Sequence, residues 1–198
     1  DTQWVTYLDE DNVLDRHFCS KMLINIYKNK YTEIIKDVAS DGNDGNNEKE
    51  QVVEKLPEYA YCLRNIVDPD GNFICHDLCE NLGFTKNILN GYFIDTSCYM
   101  LKRELAIAIS NVWHSHNKPL YYQDKIVFNH LYQNYNGKRY CQVSDYLMNY
   151  RVENTKSSPR REFFITGNRN FLQKNIQEQG IYLFHFNAKA TTDFFEAR

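Results

Sequence analysis

Trp4-Val5-Thr6-Tyr7-Leu8-Asp9-Glu10-Asp11-Asn12 is the stretch whose reading decides the fold. An apolar, β-branched and aromatic run that ends in two carboxylates one residue apart reads as a buried strand. It would deliver acids to the carboxyl edge of an α/β sheet, where open sheets of this class bind ligands. Two hard anionic oxygens on a short turn suit Mg²⁺ or Mn²⁺, which would bridge to substrate phosphates. The same residues also read as a surface turn or a helix cap, because Asp and Asn are ordinary turn formers. At this point both readings stand.

Downstream of the acid turn, Leu14, Phe18, Met22 and Ile26, with Cys19, Leu23 and Tyr27, recur at helical spacing and predict an amphipathic helix. Asp11 or Asn12 would cap it, turning its positive N-terminal dipole toward a bound phosphate. Residues 31–38 predict a strand, and the polar, Gly/Asn/Asp-rich segment 40–51 predicts a mobile loop. Asp68-Pro69-Asp70-Gly71 is a strong turn signal between two short strands, 59–67 and 72–75. Helical periodicity returns over 101–114, over 123–135 with Asp124 in the first turn, and over 169–179, where Gly180 stops it. Ile181 to Phe186 predicts a last buried strand, and no internal repeat is present.

Composition narrows the function classes. With 42% hydrophobic and 25% charged residues, the 198-residue chain has the composition of one ordinary globular domain, 1–198. A formal net charge of -3 lacks the basic footprint of a nucleic-acid binder. No apolar run reaches the ~20 residues a membrane-spanning helix needs, so a soluble protein is expected, cytoplasmic or part of a larger enzyme. The 15 tyrosines fit sugar or base stacking, and fit a plain aromatic core better. Six cysteines scattered through a chain this large are expected to be mostly reduced thiols. Cys75, His76 and Cys79 have zinc-ligand spacing, but a second pair at comparable spacing is missing.

Several landmarks then fall in order: the Trp4-to-Asn12 strand and acid turn, Gly91-Tyr92-Phe93-Ile94-Asp95-Thr96-Ser97-Cys98, Tyr121-Tyr122-Gln123-Asp124 opening a helix, and Asn149-Tyr150-Arg151. In this set the chain resembles the metal-dependent glycosyltransferases of the GT-A fold, most closely the inverting family two. The resemblance covers about three quarters of the chain. It implies an α/β fold, a Rossmann-like mixed sheet flanked by helices, in which the acid pair follows a nucleotide-binding half. That half is expected to lie before Asp1. A central parallel strand needs neighbours reached by crossovers of about a dozen residues or more, so association with that missing half, or with another copy, is expected too.

The resemblance also implies roles. Asp11 would bind Mn²⁺ or Mg²⁺ directly, and Asp9 would reach the metal through water or contact the ribose of a nucleotide-diphosphate sugar. The metal would stabilise charge on the departing diphosphate. Asp124 sits where the family carries the base that deprotonates the acceptor hydroxyl, although Gln123 replaces the acidic residue that commonly precedes it. Asp95, in the acceptor-side segment, would contact acceptor hydroxyls or rival Asp124 as the base; as a bare sequence feature it equally reads as a helix cap. His185 would add a late metal ligand and Lys189 would face the diphosphate; read alone, His185 is a core histidine on an apolar strand. Tyr150-Arg151, Lys156 and Arg160-Arg161 approach phosphate or are simply solvated charges. The expected partners are a nucleotide-sugar donor and a glycan, protein or lipid acceptor.

Two other readings remain. Asp9-x-Asp11-x-Val13 also resembles the first motif of haloacid-dehalogenase-type phosphatases, but the later acidic pair of that scheme is missing. A glycosyltransferase-like module without catalysis, serving binding or assembly, is the other.

Overall fold

A computed structural model of the protein describes residues 2–37, 49–77, 94–113, 123–135, 139–153 and 158–179. The fold is α/β, with a mixed sheet flanked by helices. Its strands are β1 (Trp4–Thr6), β2 (Val13–Leu14), β5 (Tyr59–Val67), β6 (Phe73–His76), β7 (Tyr99–Lys102) and β8 (Tyr140–Arg151). A separate hairpin is formed by β3 (Tyr31–Asp37) and β4 (Lys49–Lys55). The helices are α1 (Phe18–Lys28), α2 (Arg103–Ala108), α3 (Ser110–Trp113), α4 (Gln123–Asn134) and α5 (Pro159–Gln179).

The sheet runs β1-β7-β5-β8-β2. Strands β5 and β8 are parallel, and every other pairing is antiparallel. Strand β5 is the spine. Its near-continuous apolar run suits a strand covered on both faces, and all but one of its residues are buried. On one edge β5 has two successive partners: β7 pairs with Tyr59, Ala60 and Tyr61, and β6 with Asn65, Ile66 and Val67. Between those pairings, at Cys62 and Leu63, β5 has no ladder partner on this edge among the described residues, and the sheet splits.

The main core fills from helices and strands together: Phe18, Met22 and Ile26 from α1, Leu105 and Ile109 beyond it, Val127, Phe128 and Leu131 from α4, and Tyr59, Leu101, Val143 and Leu147 from the sheet. Full burial of each such side chain is worth ~1.5–3 kcal/mol. A smaller cluster of Ile66, Cys75, Val152 and Phe164 seats α5 on the other end of the spine.

Several sequence expectations hold in this architecture: α1, β3, α4, and the β5–β6 hairpin. The hairpin turn is built as its composition predicts. Asp68 Oδ1 accepts from the backbone N–H groups of Asp70 (3.0 Å) and Asn72 (2.8 Å), and Gly71 takes a φ of 87° that suits glycine.

Others change. The acid strand is shorter than expected and half-buried, and it pairs antiparallel with β7, so it is not the central parallel strand the sequence suggested. Helix α1 starts at Phe18 rather than after Asn12, because Val13 and Leu14 pair with Asn149 and Met148 of β8. Asp11 and Asn12 therefore do not cap it; His17 sits at the cap and makes no side-chain capping bond. Leu101 belongs to β7, and the helix expected over 101–114 is two short helices. Helix α5 begins ten residues earlier than 169, with Pro159 in its first turn and Ser158 Oγ accepting from Arg161 N–H at 3.4 Å. Strand β4 takes in the end of the expected loop 40–51; residues 38–48 lie outside the described ones.

Candidate functional site

The site forms at the split in the sheet. Strand β6 ends there at His76, followed by Asp77, and the chain re-enters at Ile94 and Asp95 to start β7 through a 3₁₀ turn, Thr96–Cys98. The side chain on β5 at this level is Arg64, 1% exposed. A guanidinium cannot be deprotonated at any working pH, so burying it requires carboxylate partners. They come from the two sides of the split. Arg64 Nε donates to Asp77 Oδ2 at 2.7 Å, and Nη1 donates to Asp95 Oδ2. The guanidinium also stacks on Tyr150 and Phe164, 4.5 and 5.5 Å from the ring centres.

From Asp95 the network reaches the other acids. Asp95 Oδ1 caps the 3₁₀ turn by accepting from Ser97 N–H at 2.9 Å. Ser97 Oγ accepts from Asp9 N–H (3.2 Å) and donates to Asp9 Oδ2 (3.3 Å). Asn12 Nδ2 reaches both Asp9 Oδ2 and Ser97 Oγ at 3.3 Å. On the other side of the turn, the Thr96 N–H donates to Asp124 Oδ1 at 3.1 Å, and Thr96 Oγ1 donates to the same oxygen. One three-residue turn, Asp95–Ser97, thus joins the acid turn after β1, the spine, and the first turn of α4.

The charge balance is unusual. Burial, then the neighbouring Asp95, pushes the Asp124 carboxyl up to about 6, against the pull of the Thr96 donors and of Arg64. Asp9 is also raised, first by partial desolvation and then by Asp95, with Asp11 adding to it. Desolvation leads in both shifts, and Asp95 is the second cause in each. Asp11 is exposed. Asn12 is 5% exposed, and its Oδ1 is buried without a hydrogen-bond partner among the described residues.

Of the residues expected from sequence to form a site, Asp9, Asp95 and Asp124 are brought together. Asp11 stands beside them on the acid turn. Asp95 is buried at 4% exposure, with its two oxygens engaged by Ser97 and Arg64. His185, Lys189, Lys156 and the strand 181–186 lie outside the described residues, as do Gly91 to Phe93 and Tyr121-Tyr122. Arg160 stacks over Tyr150, Phe163 and Phe164, with 4.8 Å to the nearest ring centre. Cys75 and His76 are successive residues of a strand and project to opposite faces, which does not suit one metal. Burial pushes the Cys75 thiol up to about 12, and Cys79 is outside the described residues. Among the described residues, no group of three or more His, Cys, Asp or Glu side chains is arranged to hold a metal ion. No described helix is long and apolar enough to cross a membrane.

Sequence reasoning missed Arg64 and Asp77. The signal was present: a single Arg inside the otherwise apolar run Tyr59–Val67 must be buried with partners. Comparison with known protein families, with curated proteins and with solved structures gives no match.

Proposed function

We propose that the chain carries the metal and acceptor side of a GT-A glycosyltransferase, one that moves a sugar from a nucleotide-diphosphate donor to an acceptor hydroxyl with inversion. The observation that carries this reading is the junction at Asp95–Ser97. Through it an exposed acid turn and a half-buried, weakly acidic Asp124 face the same split in the sheet.

The acid turn fits a hard divalent cation. Asp9 and Asp11 offer carboxylate oxygens, and Asn12 Oδ1 is an amide oxygen with an unmet need for a partner. A cation there would also favour the ionised form of Asp9, which partial desolvation and then Asp95 disfavour. When bound, Mn²⁺ or Mg²⁺ would supply Lewis-acid stabilisation of a diphosphate leaving group. His185 and Lys189 are proposed to complete the ligands to the metal and the diphosphate.

Asp124 suits a general base. An ordinary carboxylate near 3.8 is too weak a base to accept a hydroxyl proton effectively at neutral pH, and one at about 6 is better matched. Its Oδ1 is held by two Thr96 donors, which fixes the carboxylate while its other oxygen can take the proton. Asp95, with its oxygens turned inward, is cast as support for that arrangement rather than as the base.

The test separates donor binding from chemistry. Asp124→Asn is expected to leave uridine diphosphate binding intact and to slow sugar transfer by roughly 10²-fold or more. Donor affinity falling as far as the rate would remove Asp124 from the base role.

A further inference from the structure

Arg64 lies too deep to touch a substrate, yet every bond that gathers the acids passes through the turn it holds. Its position at the split is the reason. Asp77 ends β6 and Asp95 begins the re-entry into β7, and the guanidinium spans the gap between them with Nε on one carboxylate and Nη1 on the other. The Asp77 N–H donates back to the Arg64 carbonyl at 3.1 Å, which holds the backbones of the two residues together on the β6 side. Across the gap, Asp95 passes the constraint to Ser97 through its cap, and the next residue in the same turn, Thr96, holds Asp124. The ring faces of Tyr150 and Phe164 prevent the guanidinium from swinging away. Phe164 is on α5, whose Asn168 side chain also donates to the His76 carbonyl next to Asp77. Helix α5 therefore braces the tether from outside the site.

We infer that Arg64 is the positioning residue of this site: by tying the two sides of the split sheet together it fixes the Asp95–Ser97 turn and, through Thr96, the place of the Asp124 carboxylate. This deepens the functional reading above and rests on it only for the claim that Asp124 takes a proton from the acceptor. Lysine cannot substitute fully, since an ammonium is a point charge without the planar fork that addresses two carboxylates in fixed directions.

The experiment needs no substrate, so its failure is separate from a failure of the glycosyltransferase reading. In protein labelled with ¹³C and ¹⁵N, the Asp124 carboxyl carbon and the Thr96 amide proton are followed by NMR through the pH range. Among the described residues, the charged and titratable groups facing Asp124 are Asp95, Arg64 and Tyr99. In the natural protein the Thr96 amide should move with the Asp124 midpoint, because its hydrogen bond strengthens as the carboxylate ionises. Arg64→Met should uncouple the two signals and raise the Asp124 midpoint by about half a pH unit or more, through loss of a nearby cation. Arg64→Lys should keep the midpoint within about 0.3 of the natural value, since the charge stays, while the Thr96 amide loses at least half of its excursion. A folded Arg64→Met protein with the Thr96 response intact would overturn the inference. Should that variant fail to fold, an unchanged Thr96 response in Arg64→Lys overturns it instead.

Discussion

Asp124→Asn should make the protein more stable, and only above about pH 4. Asp124 is held at about 6 when folded, against about 3.8 for an ordinary aspartate. A carboxyl raised on folding binds its proton more tightly in the native state. Its contribution to stability is fully present below pH 3.8 and is lost as the pH rises to 6. At ~1.4 kcal/mol per pH unit of separation, the folded protein carries a penalty of up to about 3 kcal/mol at pH 8. Asparagine is nearly isosteric, keeps an oxygen for the two Thr96 donors, and carries no charge. The assay is urea denaturation of both proteins from pH 3.5 to 8. The stability difference, variant minus natural, should climb between pH 4 and 6 and then level off. A difference that stays flat across the range would refute the claim that Asp124 is held in a desolvated, negatively charged setting. The subtraction matters, because Asp9 is also raised and contributes to the pH dependence of both proteins alike.

Three further outcomes are expected. Asp11→Ala, on an exposed residue, should change stability by no more than about 0.5 kcal/mol in thermal denaturation. It should at the same time abolish metal-dependent turnover, and unchanged turnover would take Asp11 out of the site. Ser97→Ala removes the hydroxyl that both accepts from Asp9 N–H and donates to its carboxylate, and should cost ~1–2 kcal/mol by urea denaturation. Gly71→Ala should cost about 1 kcal/mol for its φ of 87° alone, since an added methyl at that position meets nothing within 4 Å; a neutral result would mean that the turn relaxes.

What the sequence made legible follows from how local each signal is. Hairpin β5–β6 was readable because Asp68 and Gly71 carry their own turn chemistry. Helix α4 was readable because Val127, Leu131 and Tyr135 repeat at helical spacing. Strand β8 was not foreseen. Its register against β5 shifts on either side of Leu63, which breaks the two-residue alternation that would have announced it. Val13 and Leu14 have no local preference strong enough to defeat a helical pattern; their pairing with Asn149 and Met148 does that from far along the chain.

The site divides in the same way. Asp9, Asp95 and Asp124 were each visible as acids at the ends of elements. Their joining through Thr96 and Ser97 depends on bonds spanning 28 and 88 residues, which no local pattern encodes. Arg64 was not singled out within the run Tyr59–Val67, because its partners Asp77 and Asp95 lie 13 and 31 residues along the chain. Its burial between Asp77 and Asp95 makes it the residue through which the fold most directly governs the chemistry proposed for the site.

Calorimetric titration of uridine diphosphate, with and without Mn²⁺, into the natural protein and into Asp11→Ala tests the central claim most directly. Binding is expected to require Mn²⁺ and to disappear in the variant. No heat with any divalent cation, or binding that persists unchanged in Asp11→Ala, would contradict it.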